Sequence, residues 1–186
     1  MRFTEVTLKT ERLLLRPLKL VDAVPLLGIF TDPEFLEFST FSPFTSLSEA
    51  DAMVNRDVSA MACGERLRLG VEKMTDQSLI GICTLFDFDE ICRSAEIGYG
   101  LAPFAWNNGY MHEALSALLK LGFDELQLNR VAADIAADNR ASARTLDRLG
   151  FLKEGHIRKN CLVKGVLSDS AIYGLLRSDW LEKGCL

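Results

Sequence analysis

Between Ala95 and Ala114 the chain reads AEIGYGLAPFAWNNGYMHEA. A glycine-containing strand stops at Pro103, and Asn108-Gly109-Tyr110 opens a strongly patterned helix. The first amides of a helix have no intrahelical acceptor, and the helix dipole puts positive potential on them. Gly109 carries no side chain where a ligand would have to approach the backbone. The product is a main-chain cradle for phosphate. The run contains neither GxxxxGK(S/T) nor GxGxxG, so it is neither a P-loop nor a dinucleotide fingerprint. A second polar pair, Asn139 and Ser142, opens the helix of NRASARTLDRLGFLKEG (Asn139–Gly155). Helix capping and ligand contact are both open to Asn139.

These residues need a scaffold, and the periodicities supply one. Arg12–Arg16 reads as a strand ended by Pro17. Val21–Phe30 and Ser46–Cys63 read as helices, the second capped by Ser46 or Ser48 and closed by Gly64. Arg66–Lys73, Ser78–Phe88 and Ser94–Leu101 read as an antiparallel meander. Met111, Leu115, Leu118, Leu119, Gly122 and Leu126 repeat at helical steps. Arg130–Ala137 alternates as a strand. A helix capped by Asp138 or Asn139 then carries Ser142, Leu146 and Leu149 to Gly150. Strands near Gly155–Val163 and Val166–Leu176 meet at Lys164-Gly165. The order β-α-α-β-β-β-α-β-α-β-β predicts an α/β fold with a mixed sheet and helices on its faces. No repeat or linker interrupts it, so residues 1–186 read as one domain.

Composition narrows the function. The chain has 186 residues, 48% of them hydrophobic and 25% charged, with net charge −5. That balance suits a globular chain and argues against a nucleic-acid partner. No apolar run reaches the roughly 18–20 residues of a membrane span, and charges interrupt the N-terminal apolar stretch, which does not read as a signal peptide. Five scattered cysteines (Cys63, Cys83, Cys92, Cys161, Cys185) read as reduced thiols of a cytoplasmic protein. Two histidines without close Cys/His spacing predict no metal site. Charge is segregated: residues 31–57 hold six acids and one base, and residues 139–164 hold seven bases and two acids.

The chain resembles the GNAT superfamily of acetyl-CoA-dependent N-acetyltransferases. Within it, the resemblance is to the ribosomal-protein N-terminal (alanine/serine) acetyltransferases. It is carried by TERLLLRPL (Thr10–Leu18), EIGYGL (Glu96–Leu101), PFAWNNGYMHEAL (Pro103–Leu115), LNRVAADIAADNRASARTLDRLGFLKEG (Leu128–Gly155) and YGLLRSDW (Tyr173–Trp180). The resemblance implies that Trp106, Asn107, Asn108, Gly109, Tyr110 and Met111 form the pyrophosphate loop. It implies that Tyr99, Gly100 and Leu101 pair with the pantetheine arm, that Asn139 and Ser142 contact the arm near its thiol, and that the strands bearing Glu96 and Arg130 splay apart. Asp147 stands where many members carry a tyrosine acid, so the acid role passes to Ser142 or solvent.

The implied reaction is attack of an amine on the acetyl thioester, with Glu96 as a base acting through water. The acceptor most consistent with the resemblance is a protein or peptide N-terminal α-amine. An aminoglycoside, a polyamine or a small amine stays open, as does a CoA-binding sensor or scaffold without turnover. Monomer and homodimer are both compatible. The acidic segment carries Phe35, Phe38, Phe41 and Phe44, which read either as plugs at the core edge or as an aromatic, acidic lip for a cationic acceptor. The basic segment offers Arg140, Arg144 and Arg148 to the adenosine phosphate.

Overall fold

The computed structural model describes Phe3 and residues 5–182; Cys185 lies outside them. Eight strands form one mixed sheet. They are β1 (Leu8–Lys9), β2 (Leu13–Pro17), β3 (Arg66–Lys73), β4 (Leu79–Asp89), β5 (Ser94–Leu101), β6 (Arg130–Ala136), β7 (Leu152–Val163) and β8 (Val166–Leu176). Their spatial order is β1-β2-β3-β4-β5-β6-β8-β7. All neighbours are antiparallel except β5 and β6. The helices are α1 (Ala23–Thr31), α2 (Leu47–Cys63), α3 (Tyr110–Lys120), α4 (Arg140–Leu149) and α5 (Arg177–Glu182).

Two elements extend the order read from the sequence. Leu8–Lys9 pairs with Leu14 and Leu15 as an outer strand, too short to leave a period. After β8 the chain turns into α5, which buries Trp180 against Phe123 with ring centroids 5.8 Å apart.

Each sheet face carries its own core, because strand side chains alternate. On one face Leu13, Leu15, Leu67, Leu69, Val71, Leu85, Ala95, Ile97 and Val131 meet Leu115, Leu118, Leu119 and Leu146 of α3 and α4. On the other, Leu26, Ile29 and Phe30 of α1 and Ala50, Met53 and Val54 of α2 pack over Leu79 and Ile82. A buried polar link ties α2 to the sheet: Asp57 accepts two bonds from Arg68, whose Nε donates to Thr84 at 3.0 Å. Burial, opposed by the Asp57 charge, holds the Arg68 pKa below its usual value.

The helices end where chain chemistry says they should. Gly64 and Gly150 close α2 and α4 at φ 81° and 99°, the left-handed conformation open to glycine. Lys164 and Gly165, at φ 49° and 77°, form the tight turn between β7 and β8.

Candidate active site

The sheet is open at its centre. β5 and β6 run parallel and match at three positions only: Ser94 with Arg130, Ala95 with Val131, and Glu96 with Ala132. Beyond them β5 continues against β4 to Leu101 and β6 continues against β8 to Ala136. The facing inner edges of the two strands therefore have no strand partner. Such edges present main-chain donors and acceptors to an extended guest. The splay that the resemblance implies is present, and Glu96 stands at its apex.

Around the split, β5 points its residues in two directions. Glu96, Gly98 and Gly100 share the α1–α2 face. A side chain at Gly100 would collide with the Phe35 ring, 2.7 Å from an added Cβ. Glycine at 100 thus lets the segment after α1 close over the sheet. Tyr99 points the other way, and its hydroxyl donates to the Ser142 carbonyl at 3.3 Å, linking β5 to the first turn of α4. Burial pushes the Tyr99 pKa up, so it stays a neutral donor. Leu101 is buried; its carbonyl accepts from Trp106 Nε1 at 2.8 Å. The next amide, Ala102, already donates to the Ile80 carbonyl at 2.8 Å.

The candidate phosphate cradle follows. Trp106 is extended, Asn107 has φ 60° and Gly109 has φ 76°, so the chain reverses twice before α3 begins at Tyr110. Asn108 Nδ2 donates to the Trp106 carbonyl at 2.8 Å and to the Ala105 carbonyl at 3.3 Å, stiffening the loop. The first bond of the α3 ladder runs from Glu113 N–H to the Gly109 carbonyl at 3.1 Å; the Tyr110, Met111 and His112 amides precede it. An added Cβ at Gly109 would meet only Arg12 Nη2, at 3.6 Å. The positive φ therefore favours glycine, or the asparagine that stands at φ 60° two residues earlier, independently of any ligand.

Two residues that sequence reasoning did not single out hold this loop. Glu113, in the first turn of α3, accepts from Thr10 Oγ1 at 2.6 Å, from Arg12 N–H at 2.9 Å and from Arg12 Nε at 2.7 Å. Arg12 Nη1 donates in turn to the Asn108 carbonyl at 3.0 Å, and its guanidinium lies 4.7 Å from the Tyr110 ring centroid. Burial would raise the Glu113 pKa, but the Thr10 and Arg12 hydrogen bonds outweigh it and hold it below the usual carboxylate value.

At α4, Asn139 caps the helix: its Oδ1 accepts from Ser142 N–H at 3.0 Å. The Ser142 hydroxyl makes no hydrogen bond among the described residues and is half-buried. Arg140, Arg144 and Arg148 recur every fourth residue along α4 and are all exposed. None of the three forms an ion pair among the described residues.

Glu96 is half-buried. Burial, then the Asp87 charge from β4 and the Asp134 charge from β6, push its pKa above the ordinary carboxylate value. A raised carboxylate pKa suits a proton acceptor working near neutrality. Among the described residues no cluster could hold a metal ion. The aromatic segment resolves largely into packing: Phe35, Phe41 and Phe44 surround Phe30 with centroids 5.1, 5.2 and 4.8 Å away. A surface groove of about 860 Å³ between α1, Glu72 and Pro103–Phe104 is a separate feature; neither Glu96, Tyr99, Gly109 nor Asn139 lines it.

A parallel strand pair that parts after three matched positions, followed by a helix whose first amides precede its hydrogen-bond ladder, leaves room for an extended, phosphate-bearing guest. Residues 12–152 match the family model described as Acetyltransferase (GNAT) domain, and the chain belongs to that family of acetyl-CoA-dependent N-acetyltransferases. It is 36% identical over 176 residues to "Uncharacterized N-acetyltransferase p20" of Bacillus licheniformis, covering 94% of this chain and 98% of that one. It is 39% identical over 105 residues, 56% of this chain and 57% of the other, to the Bacillus subtilis protein named "Putative ribosomal N-acetyltransferase YdaF". The spermidine N-acetyltransferase of Vibrio cholerae, solved in complex with CoA and spermine, shares the fold with TM-score 0.81 at 23% identity, covering 92% of this chain and 99% of that one.

Proposed function

We propose that this single acetyltransferase domain acts in the cytoplasm on a protein or peptide N-terminal α-amine, by direct attack in a ternary complex. The observation that carries the reading is Glu96 at the apex of the split, its basicity raised, with the amide-lined loop of α3 at the other end of the same strand. Acetyl-CoA supplies the activated acyl carbon. The inner edge of Tyr99–Leu101 would pair with its pantetheine arm, the Trp106–Met111 amides would hold its pyrophosphate, and Asn139 and Ser142 would flank the arm near its thiol. The residues present fit that guest: the strand edge is unpaired, the loop amides precede the helix ladder, and the Ser142 hydroxyl is uncommitted.

Only a neutral amine attacks. An α-amine with pKa near 8 is roughly a tenth neutral at pH 7, whereas a lysine near 10.4 is neutral in only about one molecule per few thousand. A half-exposed carboxylate working through water is therefore adequate for an α-amine and weak for a lysine. Ser142 or solvent would supply a proton to the departing CoA thiolate, giving the free thiol. The likeness to YdaF, whose name carries a ribosomal acceptor, supports the same class of acceptor.

The test is an acceptor screen with acetyl-CoA, reading thiol release and, by mass, the acetylated amines in tryptic digests of cytosol. Acetylation of peptide α-amines in preference to lysines is expected. Acetylation of polyamines alone would replace the peptide reading. CoA binding without thiol release on any amine would make the chain a sensor or scaffold.

A further inference from the structure

The outer hairpin reaches back to the split through an irregularity in β7. Ile157 pairs with Ser170 and Cys161 with Ser168, so Arg158, Lys159 and Asn160 stand opposite Asp169 alone. Lys159 takes φ 51°. The Asp169 carboxylate closes this bulge, accepting Lys159 N–H at 2.9 Å and contacting His156 Nε2 at 2.8 Å. Bulges re-aim side chains. Here Asn160 is turned across β8, where its Nδ2 donates to Ser170 Oγ at 3.2 Å and to Asp134 Oδ2 on β6 at 3.0 Å.

Asp134 lies two residues past Ala132, the partner of Glu96 in the last matched pair of β5 and β6. It therefore projects from the same sheet face as Glu96, beside the unpaired edge. Its Oδ1 has no protein partner among the described residues. The cation nearest in sequence on this face, Arg130, is paired with Glu154 across Gly174, where a Cβ would collide with the pair. Glu96, Asp87 and Asp134 make no ion pair among the described residues. The mouth of the split thus carries carboxylates that form no ion pair among the described residues, one of them, the exposed Asp134, tied by Asn160.

We propose that Asp134 is a specificity-determining residue that receives the acceptor as an ammonium ion at the mouth of the split, with Asn160 the residue that positions it. The inference rests on the amine-acceptor reading above and narrows it to acceptors that arrive protonated. Glu96, adjacent on the same face, then takes the proton through water.

The experiment compares Asp134→Asn, Asp134→Glu and Asn160→Ala with the wild type. The probes are an alanine-initiated tetrapeptide amide and spermidine, each titrated at saturating acetyl-CoA. Removing one exposed charge should raise the acceptor KM about two- to fivefold, leave the acetyl-CoA KM unchanged and flatten the salt dependence. Asn160→Ala should shift the acceptor KM in the same direction by less, and Asp134→Glu should recover part of the loss. The charged groups facing Glu96 are Asp87 on β4 and Asp134 on β6, with the Arg130–Glu154 pair beyond. Asp134→Asn should therefore move the acid limb of the acceptor kcat/KM profile to lower pH, which a merely structural role would not do. An unchanged acceptor KM with an unmoved acid limb overturns the proposal, as does a loss confined to kcat or to acetyl-CoA. If spermidine is acetylated and the peptide is not, the peptide reading fails, and Asp134 is judged on spermidine by the same criteria.

Discussion

Replacing Glu113 by Gln tests whether the cradle at α3 is held from outside the loop. The carboxylate binds Thr10 and both the main chain and side chain of Arg12, and Arg12 carries the restraint on to the Asn108 carbonyl. Hydrogen bonds to a charged group contribute about 1.5–3 kcal/mol where buried. The carboxylate is 17% exposed but Arg12 is 43% exposed, so screening reduces the ion pair to at most about 1 kcal/mol. An acid in the first turn adds roughly 0.3–1 kcal/mol through the dipole. Gln keeps hydrogen-bonding capacity and loses charge, so the net cost is about 1–2 kcal/mol, or roughly 2–8 °C in Tm for a chain of this size.

The pH dependence fixes the sign. The folded pKa of Glu113 lies below its unfolded value. Its stabilisation is thus complete above the unfolded pKa of about 4.3 and disappears as pH falls through the folded value. The Tm gap between wild type and Glu113→Gln should be full at pH 7 and should shrink below about pH 4. Functionally, the acetyl-CoA KM should rise severalfold while the acceptor KM holds, because the disturbed element is the loop and not the mouth of the split. A Tm gap that stays constant down to pH 3, or an acetyl-CoA KM equal to wild type, would refute the reasoning.

Gly109→Ala should cost about 1 kcal/mol from its left-handed φ and raise the acetyl-CoA KM, whereas Gly109→Asn should fold nearly normally; thermal melts and CoA titration separate the two contributions. Glu96→Gln should lower kcat by about 10²-fold and abolish the acid limb, yet leave Tm at pH 7 equal or higher, because a carboxylate with a raised folded pKa loses stability as pH rises through that pKa. Arg140→Ala with Arg144→Ala and Arg148→Ala should weaken CoA more than 3′-dephospho-CoA at low salt and equalise them at high salt; equal effects on both ligands at every salt concentration would remove the arginines from phosphate recognition. Asp57→Asn should destabilise by about 3 kcal/mol, since it leaves the buried Arg68 guanidinium without its counter-charge, measurable by urea unfolding.

Periodicity carried most of the scaffold because the deciding forces are local. The leucine steps of α3, the alternation in β6 and the glycines at 64 and 150 each state their conformation within one or two turns of chain. β3 and β5 follow their predicted bounds for the same reason. Leu8–Lys9 has no period of its own; it is a strand only because β2 offers an edge. α5 is six residues long, too short to stand by helix propensity, and forms because Trp180 has a core to enter. Within the site, Gly109 was legible as a glycine at a helix entrance. Its φ was not, since approach and conformation make the same demand on composition.

The less legible residues share a cause. Glu113 meets Arg12 across a separation of 101 residues, and no local pattern marks these two charged side chains as partners. Asn160 meets Asp134 across 26 residues, although β8 lies between their strands β7 and β6. The strand order thus creates the gap, the bulge spans it, and the Asp169 carboxylate supports the bulge. An edge strand that is mostly exposed can vary in sequence without disturbing the core, while its bulge still reaches Asp134 on β6. If Asp134 receives the acceptor as proposed, substitution in the hairpin changes the acceptor KM, while the loop before α3, held by Arg12 and Glu113, keeps the acetyl-CoA KM where it was.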